Sequence, residues 1–181
     1  YEISERVAAD GSVVTPLDEA ESASVVDQIV RTDTKAVAVC LLHSYANPAH
    51  ERRIGDIINQ RAPGLLVSLS SDVLPQIREY ERLNATLLNA YIAPLTRPYL
   101  ESLGKRFTEM GYRRRWFIMA SNGGVLTPET AAQYPIRLLE SGPVGGAMAA
   151  AYVGRQLDLP NMIAFDMGGT SAKACIIENG A

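Results

Sequence analysis

Cysteine is nearly missing from these 181 residues: only Cys40 and Cys175 occur, each inside an apolar run. Two thiols so placed cannot build a disulfide framework. They read as buried structural thiols, and a reducing, cytoplasmic setting is the expectation that follows. Positive charge is also in short supply. Seventeen Lys and Arg stand against 20 Asp and Glu, a formal charge of −3, which argues against nucleic acid or an anionic membrane as the main partner. No apolar run approaches the roughly 18–20 residues of a membrane-spanning helix, and no signal peptide is visible. The two histidines, His43 and His50, flank a proline loop without a third ligand nearby, so a zinc site is not expected. Repeats and low-complexity linkers are absent as well.

What is present is ordinary in amount. Apolar residues make up 47% and charged residues 20%, enough for one substantial core or for one domain and part of another. The first residue is Tyr1, not Met, and a strand pattern stops just before Ala181, so the chain reads as a piece of a longer protein.

The order of the residues says more. Asp10-Gly11, between loosely alternating apolar positions, predicts a hairpin turn. A helix is expected from about Leu17 to Arg31, with Val25, Val26, Ile29 and Val30 inward. Lys35 to Leu42 reads as a strand covered on both faces. A helix at Ala49–Arg61 and a strand at Leu65–Leu69 follow. A long helical stretch, Ile77 to Met110, is expected to kink or split near Pro94 and Pro98. Arg115–Met119 reads as a third strand, then come a short helix after Thr127-Pro128-Glu129 and a small-residue helix from Glu140 to about Leu157. The last strands are Met162–Asp166 and Ala172–Ile177. This alternation predicts an α/β fold with a largely parallel sheet flanked by helices.

Chemistry concentrates near the end of the chain. Ile163-Ala-Phe-Asp166 delivers a carboxylate at the end of an apolar strand, followed by Gly168, Gly169, Thr170 and Ser171. Glycines without Cβ let a backbone approach a bulky anion, and free N–H groups in such a turn hold phosphate. Asp166 can hold the magnesium that travels with a nucleotide, and ligands of open α/β sheets gather at such strand ends. A tight hairpin turn is the alternative. Glu140-Ser141-Gly142-Pro143 opens a Gly/Ala-rich helix whose N-terminus is a natural anion site, with Ser141 as cap and Glu140 near any bound phosphate. Here the alternative is an ordinary capped helix packed tightly on a sheet. Ser121-Asn122-Gly123-Gly124 lines a cleft or forms a plain turn. Arg78 to Arg82 reads as a solvated, ion-paired helix end.

Several short segments, in order, resemble the hydantoinase A / 5-oxoprolinase family: Glu5-Arg6, Leu41-Leu42-His43-Ser44-Tyr45, Glu79-Tyr80-Glu81-Arg82, Asn89-Ala90-Tyr91, Ser121-Asn122-Gly123-Gly124, Leu139-Glu140-Ser141-Gly142-Pro143 and Phe165-Asp166-Met167-Gly168-Gly169-Thr170. The last two also resemble the middle of the actin, sugar-kinase and heat-shock-chaperone ATPase superfamily. A sugar kinase would share the hairpin but not Glu79–Arg82 or Ser121–Gly124.

The resemblance implies a truncated ribonuclease-H-like fold of the actin-like ATPase superfamily. Residues 1–136 would be the later part of a first ATPase-like domain, 137–160 a linking helix, and 161–181 the opening phosphate-loop hairpin of a second domain. It implies ATP and Mg2+ as cofactors and an ATP-dependent hydrolase that opens hydantoin or 5-oxoproline-like rings by activating the carbonyl. The implied partners are a small cyclic amide and a hydantoinase B-type subunit. A subunit of an ATP-dependent ketone carboxylase, or a non-amidase ATPase module, is the alternative. Asp166 would face magnesium, Gly168, Gly169 and Thr170 would contact phosphate, and Glu140 would position metal-bound water. Many relatives carry Thr-Asp where Ala172-Lys173 stand here, so Lys173 points to solvent or touches phosphate. The rest of the phosphate clamp is expected outside residues 1–181, so this piece alone is expected neither to bind ATP tightly nor to turn over. Its unpaired strand edges make an oligomer possible.

Overall fold

Asp10 and Gly11 turn the first hairpin as expected. In the computed structural model, which describes residues 1–180, β1 (Arg6–Val7) pairs antiparallel with β2 (Val13–Thr15). Gly11 takes φ 85°, a left-handed conformation that glycine adopts without steric cost. Ser12 N–H donates to the Asp10 carboxylate at 2.9 Å. By compactness the chain divides into two units, Tyr1–Tyr99 and Leu100–Ala181.

The first unit is built on a β-α-β crossover. Asp18 caps α1 (Glu19–Val30) by accepting from Glu21 N–H at 2.9 Å. Strand β3 (Ala36–Val39), α2 (Ala49–Arg61) and β4 (Leu66–Leu69) follow. The strands pair in parallel, Ala36 with Leu66 through Val39 with Leu69, because a helix-long connection lets the chain return in the same direction. Val26, Val39, Ile54, Ile57 and Ile58 form the core, each contributing about 1.5–3 kcal/mol by leaving water. After the single turn α3 (Ser70–Val73), α4 (Glu79–Glu109) runs as one helix with Pro94 and Pro98 inside it, not as the two helices that a split would give.

Within the first unit α4 turns a polar row inward. Arg82, Thr86 and Asn89 are buried, whereas Leu83, Leu87, Tyr91, Leu95 and Tyr99 are exposed. Arg82 donates to Ser44 Oγ and to Leu41 O, both at 2.6 Å, and its guanidinium lies 5.6 Å from the Tyr45 ring centroid. Ser44 Oγ meets Ser70 Oγ at 3.1 Å, and Ser70 donates to Glu51 at 2.6 Å. Glu51, fully buried, also accepts from Leu41 N–H and Ser71 N–H, each at 2.8 Å. The solvated helix end expected at 78–82 therefore holds for Arg78 and Glu81, an exposed pair at 3.7 Å, and fails for Arg82. Both histidines are tied to the fold, His43 Nδ1 to Val7 O at 2.8 Å and His50 Nδ1 to Glu5 at 2.7 Å.

In the second unit β5 (Ile118–Met119) and β6 (Val125–Leu126) form a two-residue antiparallel ladder, so the strand expected at Arg115–Met119 is mostly irregular. Thr127 caps α5 (Pro128–Gln133) and a 3-10 turn covers Pro135–Leu138. Helix α6 (Ser141–Gln156) then leads to β7 (Met162–Met167) and β8 (Ala172–Ile177), paired antiparallel along their whole length.

Mixed α/β content is observed, but the largely parallel sheet is not. The described residues make four two-stranded sheets, of which only β3–β4 is parallel. Connections as short as 168–171 force antiparallel pairing. Nor are both thiols buried: Cys40 is half-buried and Cys175 exposed, because nothing in this unit covers the middle of β8. Among the described residues no helix is long and apolar enough to cross a membrane.

Candidate functional site

Strand β7 carries Asp166 to the turn end of the last hairpin, where its cross-strand partner is Lys173. Directly paired residues project from the same face of a sheet, so the carboxylate and the ammonium share a side. That side faces α6: along β7 the half-buried Met162 and Ala164 alternate with the exposed Ile163 and Phe165, and Ile177 is buried on β8. The opposite side is bare, with Ile163, Phe165, Met167 and Ile176 all exposed. Asp166 makes no side-chain bond among the described residues.

The turn is closed by Gly168 N–H donating to Ser171 O at 3.1 Å. Neither Gly168 nor Gly169 has a positive φ, and a Cβ added to either meets nothing within 4 Å. The fold of this unit therefore does not itself demand glycine there. Bare backbone at an exposed turn leaves room for something bulky to approach, which is the property a phosphate contact needs. Thr170 and Ser171, both exposed, place two hydroxyls on the same turn.

Glu140 stands at the mouth of α6 in a left-handed conformation, φ 63° and ψ 9°. Such a backbone costs a non-glycine residue roughly 1–2 kcal/mol, and strain of this kind gathers at functional sites. Its carboxylate accepts from Lys173 Nζ. Lys173 thus neither points freely to solvent nor waits unpaired for phosphate: it ties the helix mouth to the hairpin. Through it the structure brings Glu140 and Asp166 to one locality. Ser141 and Gly142 lie in the first turn of α6, but Ser141 does not cap it. The chain reverses at Glu140, which takes the cap position, and no side chain caps the helix.

Ser121 to Gly124 form a plain turn with a second role. Ser121 Oγ, with its single proton, lies within hydrogen-bonding reach of Arg137 O at 2.8 Å and of Leu139 O, the carbonyl just before Glu140. Gly123, at φ 81°, sits where a Cβ would lie 3.1 Å from Met148 Sδ of α6. The β5–β6 turn therefore buttresses the residue that precedes the acidic mouth. Sequence reasoning missed this bracing, and the Ser-Asn-Gly-Gly segment was its available signal. A depression of about 540 Å3 opens at the other end of the hairpin between Asn161–Ile163 and Ile176–Asn179, away from these groups.

Two family models match the chain, Hydantoinase/oxoprolinase over residues 82–181 and Hydantoinase/oxoprolinase N-terminal region over residues 1–62. The chain belongs to the hydantoinase/oxoprolinase family. An uncharacterized protein of Methanocaldococcus jannaschii is 38% identical over 99% of this chain and 26% of its own length. The caprolactamase alpha subunit of Pseudomonas jessenii is 33% identical over 97% of this chain and 25% of its own. The crystal structure of that ATP-dependent caprolactamase superposes with a TM-score of 0.85, at 33% identity over 96% of this chain and 25% of that one. A nucleotide-free acetone carboxylase, from work on ATP-dependent acetone carboxylation, gives a TM-score of 0.87, at 32% identity over 98% of this chain and 25% of that one. This hydantoinase/oxoprolinase chain spans about a quarter of the length of these relatives.

Proposed function

We propose that the whole protein is an ATP-dependent hydrolase that opens a cyclic amide of the hydantoin or 5-oxoproline type. Its last hairpin and the mouth of α6 would form one side of the nucleotide site. The observation that carries this reading is the convergence of Glu140, Lys173 and Asp166 beside the open Gly168-Gly169-Thr170-Ser171 turn. Family membership and the likeness to an ATP-dependent enzyme of lactam chemistry support it.

The donor set fits magnesium that arrives with a nucleotide. Magnesium takes one or two carboxylates along with phosphate oxygens and water. Asp166 offers an exposed, unengaged carboxylate, while the described residues hold no cluster of three metal-ligating side chains that would bind the ion unaided. Asp166 would hold the metal. Gly168, Gly169, Thr170 and Ser171 would meet phosphate through backbone N–H and hydroxyl groups, with the first turn of α6, Ser141 and Gly142, adding the positive end of its dipole. Bound ATP would supply the phosphoryl group that activates the amide carbonyl. Glu140 would orient water near the reacting centre. In this reading residues 1–136 close a first ATPase-like domain, 137–160 link it to a second, and 161–181 open that second domain. A hydantoinase B-type subunit would complete the enzyme.

Phosphate release by the whole protein tests this. Hydantoins or lactams are expected to stimulate it in the presence of magnesium, and Asp166→Asn is expected to lower the rate by roughly 100-fold or more. No response to any cyclic amide would reject the amidase reading. A ketone carboxylase subunit is the second reading, favoured by the likeness to acetone carboxylase. Stimulation by ketone with bicarbonate, and not by amides, would select it.

A further inference from the structure

The reading above gives Lys173 no task of its own, yet Lys173 makes a side-chain bond that joins β8 to the mouth of α6. We propose that Lys173 is a positioning residue: its ammonium holds the Glu140 carboxylate on the Asp166 side of the hairpin and cancels one of two negative charges an incoming phosphate would meet. This rests on the nucleotide reading of the site.

The argument is one of charge and register. Asp166 and Lys173 are directly paired across the hairpin, and Lys173 reaches Glu140 from that position. The locality therefore holds two carboxylates and one ammonium. A nucleotide phosphate brings further negative charge, and like charges a few ångströms apart repel one another even at a protein surface. Magnesium on Asp166 would offset one carboxylate, which leaves Glu140 to be offset by the protein itself. Lys173 does so from a strand whose register fixes where the ammonium sits. The same contact fastens a residue whose side chain makes no cap bond to the helix. The side chains are 40% and 65% exposed, so the pair is open to an arriving ligand and is not sealed in a core.

Calorimetric titration of the whole protein with magnesium and a non-hydrolysable ATP analogue tests the role without relying on turnover. Lys173→Met is expected to weaken binding about tenfold, the value of a charge-assisted contact, while Lys173→Arg stays close to the parent. Adding Glu140→Gln to Lys173→Met is expected to restore most of the loss, since it removes the uncompensated charge. A merely structural lysine would show no such rescue. Hydrogen exchange at the Val144 amide, which donates to Glu140 O, is expected to quicken in Lys173→Met. Parent-like binding by Lys173→Met, with Asp166→Asn defective, would overturn the role of Lys173 and leave the nucleotide site standing. Failure of the parent itself to bind the analogue would overturn both.

Discussion

The two units each hold a carboxylate linked to a cation, and they treat the link in opposite ways. In the first, Glu51 and Arg82 are fully buried and joined through Ser44 and Ser70, with backbone groups at Leu41 and Ser71 bonded into the network. In the second, Glu140 and Lys173 meet directly and stay exposed to solvent. A buried, many-bonded charge is costly to disturb and closed to visitors. An exposed pair contributes little to stability and can exchange partners. The contrast is one of burial: Glu51 and Arg82 hold the chain ends of β3 and β4, whereas Glu140 and Lys173 stand open where the nucleotide site is proposed.

Breaking the buried network should have the largest effect. Glu51→Ala leaves Arg82 without its distant counter-charge and three donors without an acceptor, and is expected to cost about 3–5 kcal/mol in urea denaturation. A loss below about 1 kcal/mol would show that the network is not what holds this region. Next comes the seat of the hairpin on α6. A Cβ at Gly154 would run into the Met162 side chain and lie 2.9 Å from Leu159 O. Gly154→Val is therefore expected to cost about 1–3 kcal/mol by overpacking, with near-ultraviolet circular dichroism and melting as the readouts. Lys173→Met should change stability by less than about 1 kcal/mol. A large drop would erase the distinction between the two pairs.

The smallest expected effect comes from a third kind of link. Arg53 donates to Glu19 at 2.6 and 2.9 Å across α2 and α1, and this bond holds the Glu19 carboxyl below its ordinary range. A carboxyl lowered in the folded state binds protons more readily unfolded. Its contribution is therefore present above the ordinary glutamate range and fades as pH falls through the lowered value. Arg53→Met is expected to flatten the acid limb of a pH–stability curve slightly, and an unchanged limb would count against this linkage.

Local elements were legible in the sequence. Helix 49–61 has the expected bounds, and Asp10-Gly11 turns the first hairpin. Strand 172–177 lies where its apolar run predicts. What failed was arrangement beyond the local pattern. Turn-length connections made antiparallel pairs where alternation suggested a parallel sheet. Arg82 reads as a surface residue because it stands among Glu79, Tyr80 and Glu81, yet its partners lie some forty positions earlier. Helix α4 defeats periodicity for a related reason, since in the first unit its polar row faces in and its apolar row faces out. At the site, motif residues named Glu140 and Asp166. The lysine between them was visible only as a departure from the motif, and its bond to Glu140 needed coordinates.

One further consequence concerns the bare side of the last hairpin. Ile163, Phe165, Met167 and Ile176, each at least 65% exposed, form an oily strip on one flank of a two-stranded ribbon. Such a strip is self-adhesive in water. Light scattering by residues 1–181 is expected to rise with concentration, and a polar replacement such as Phe165→Lys to abolish the rise.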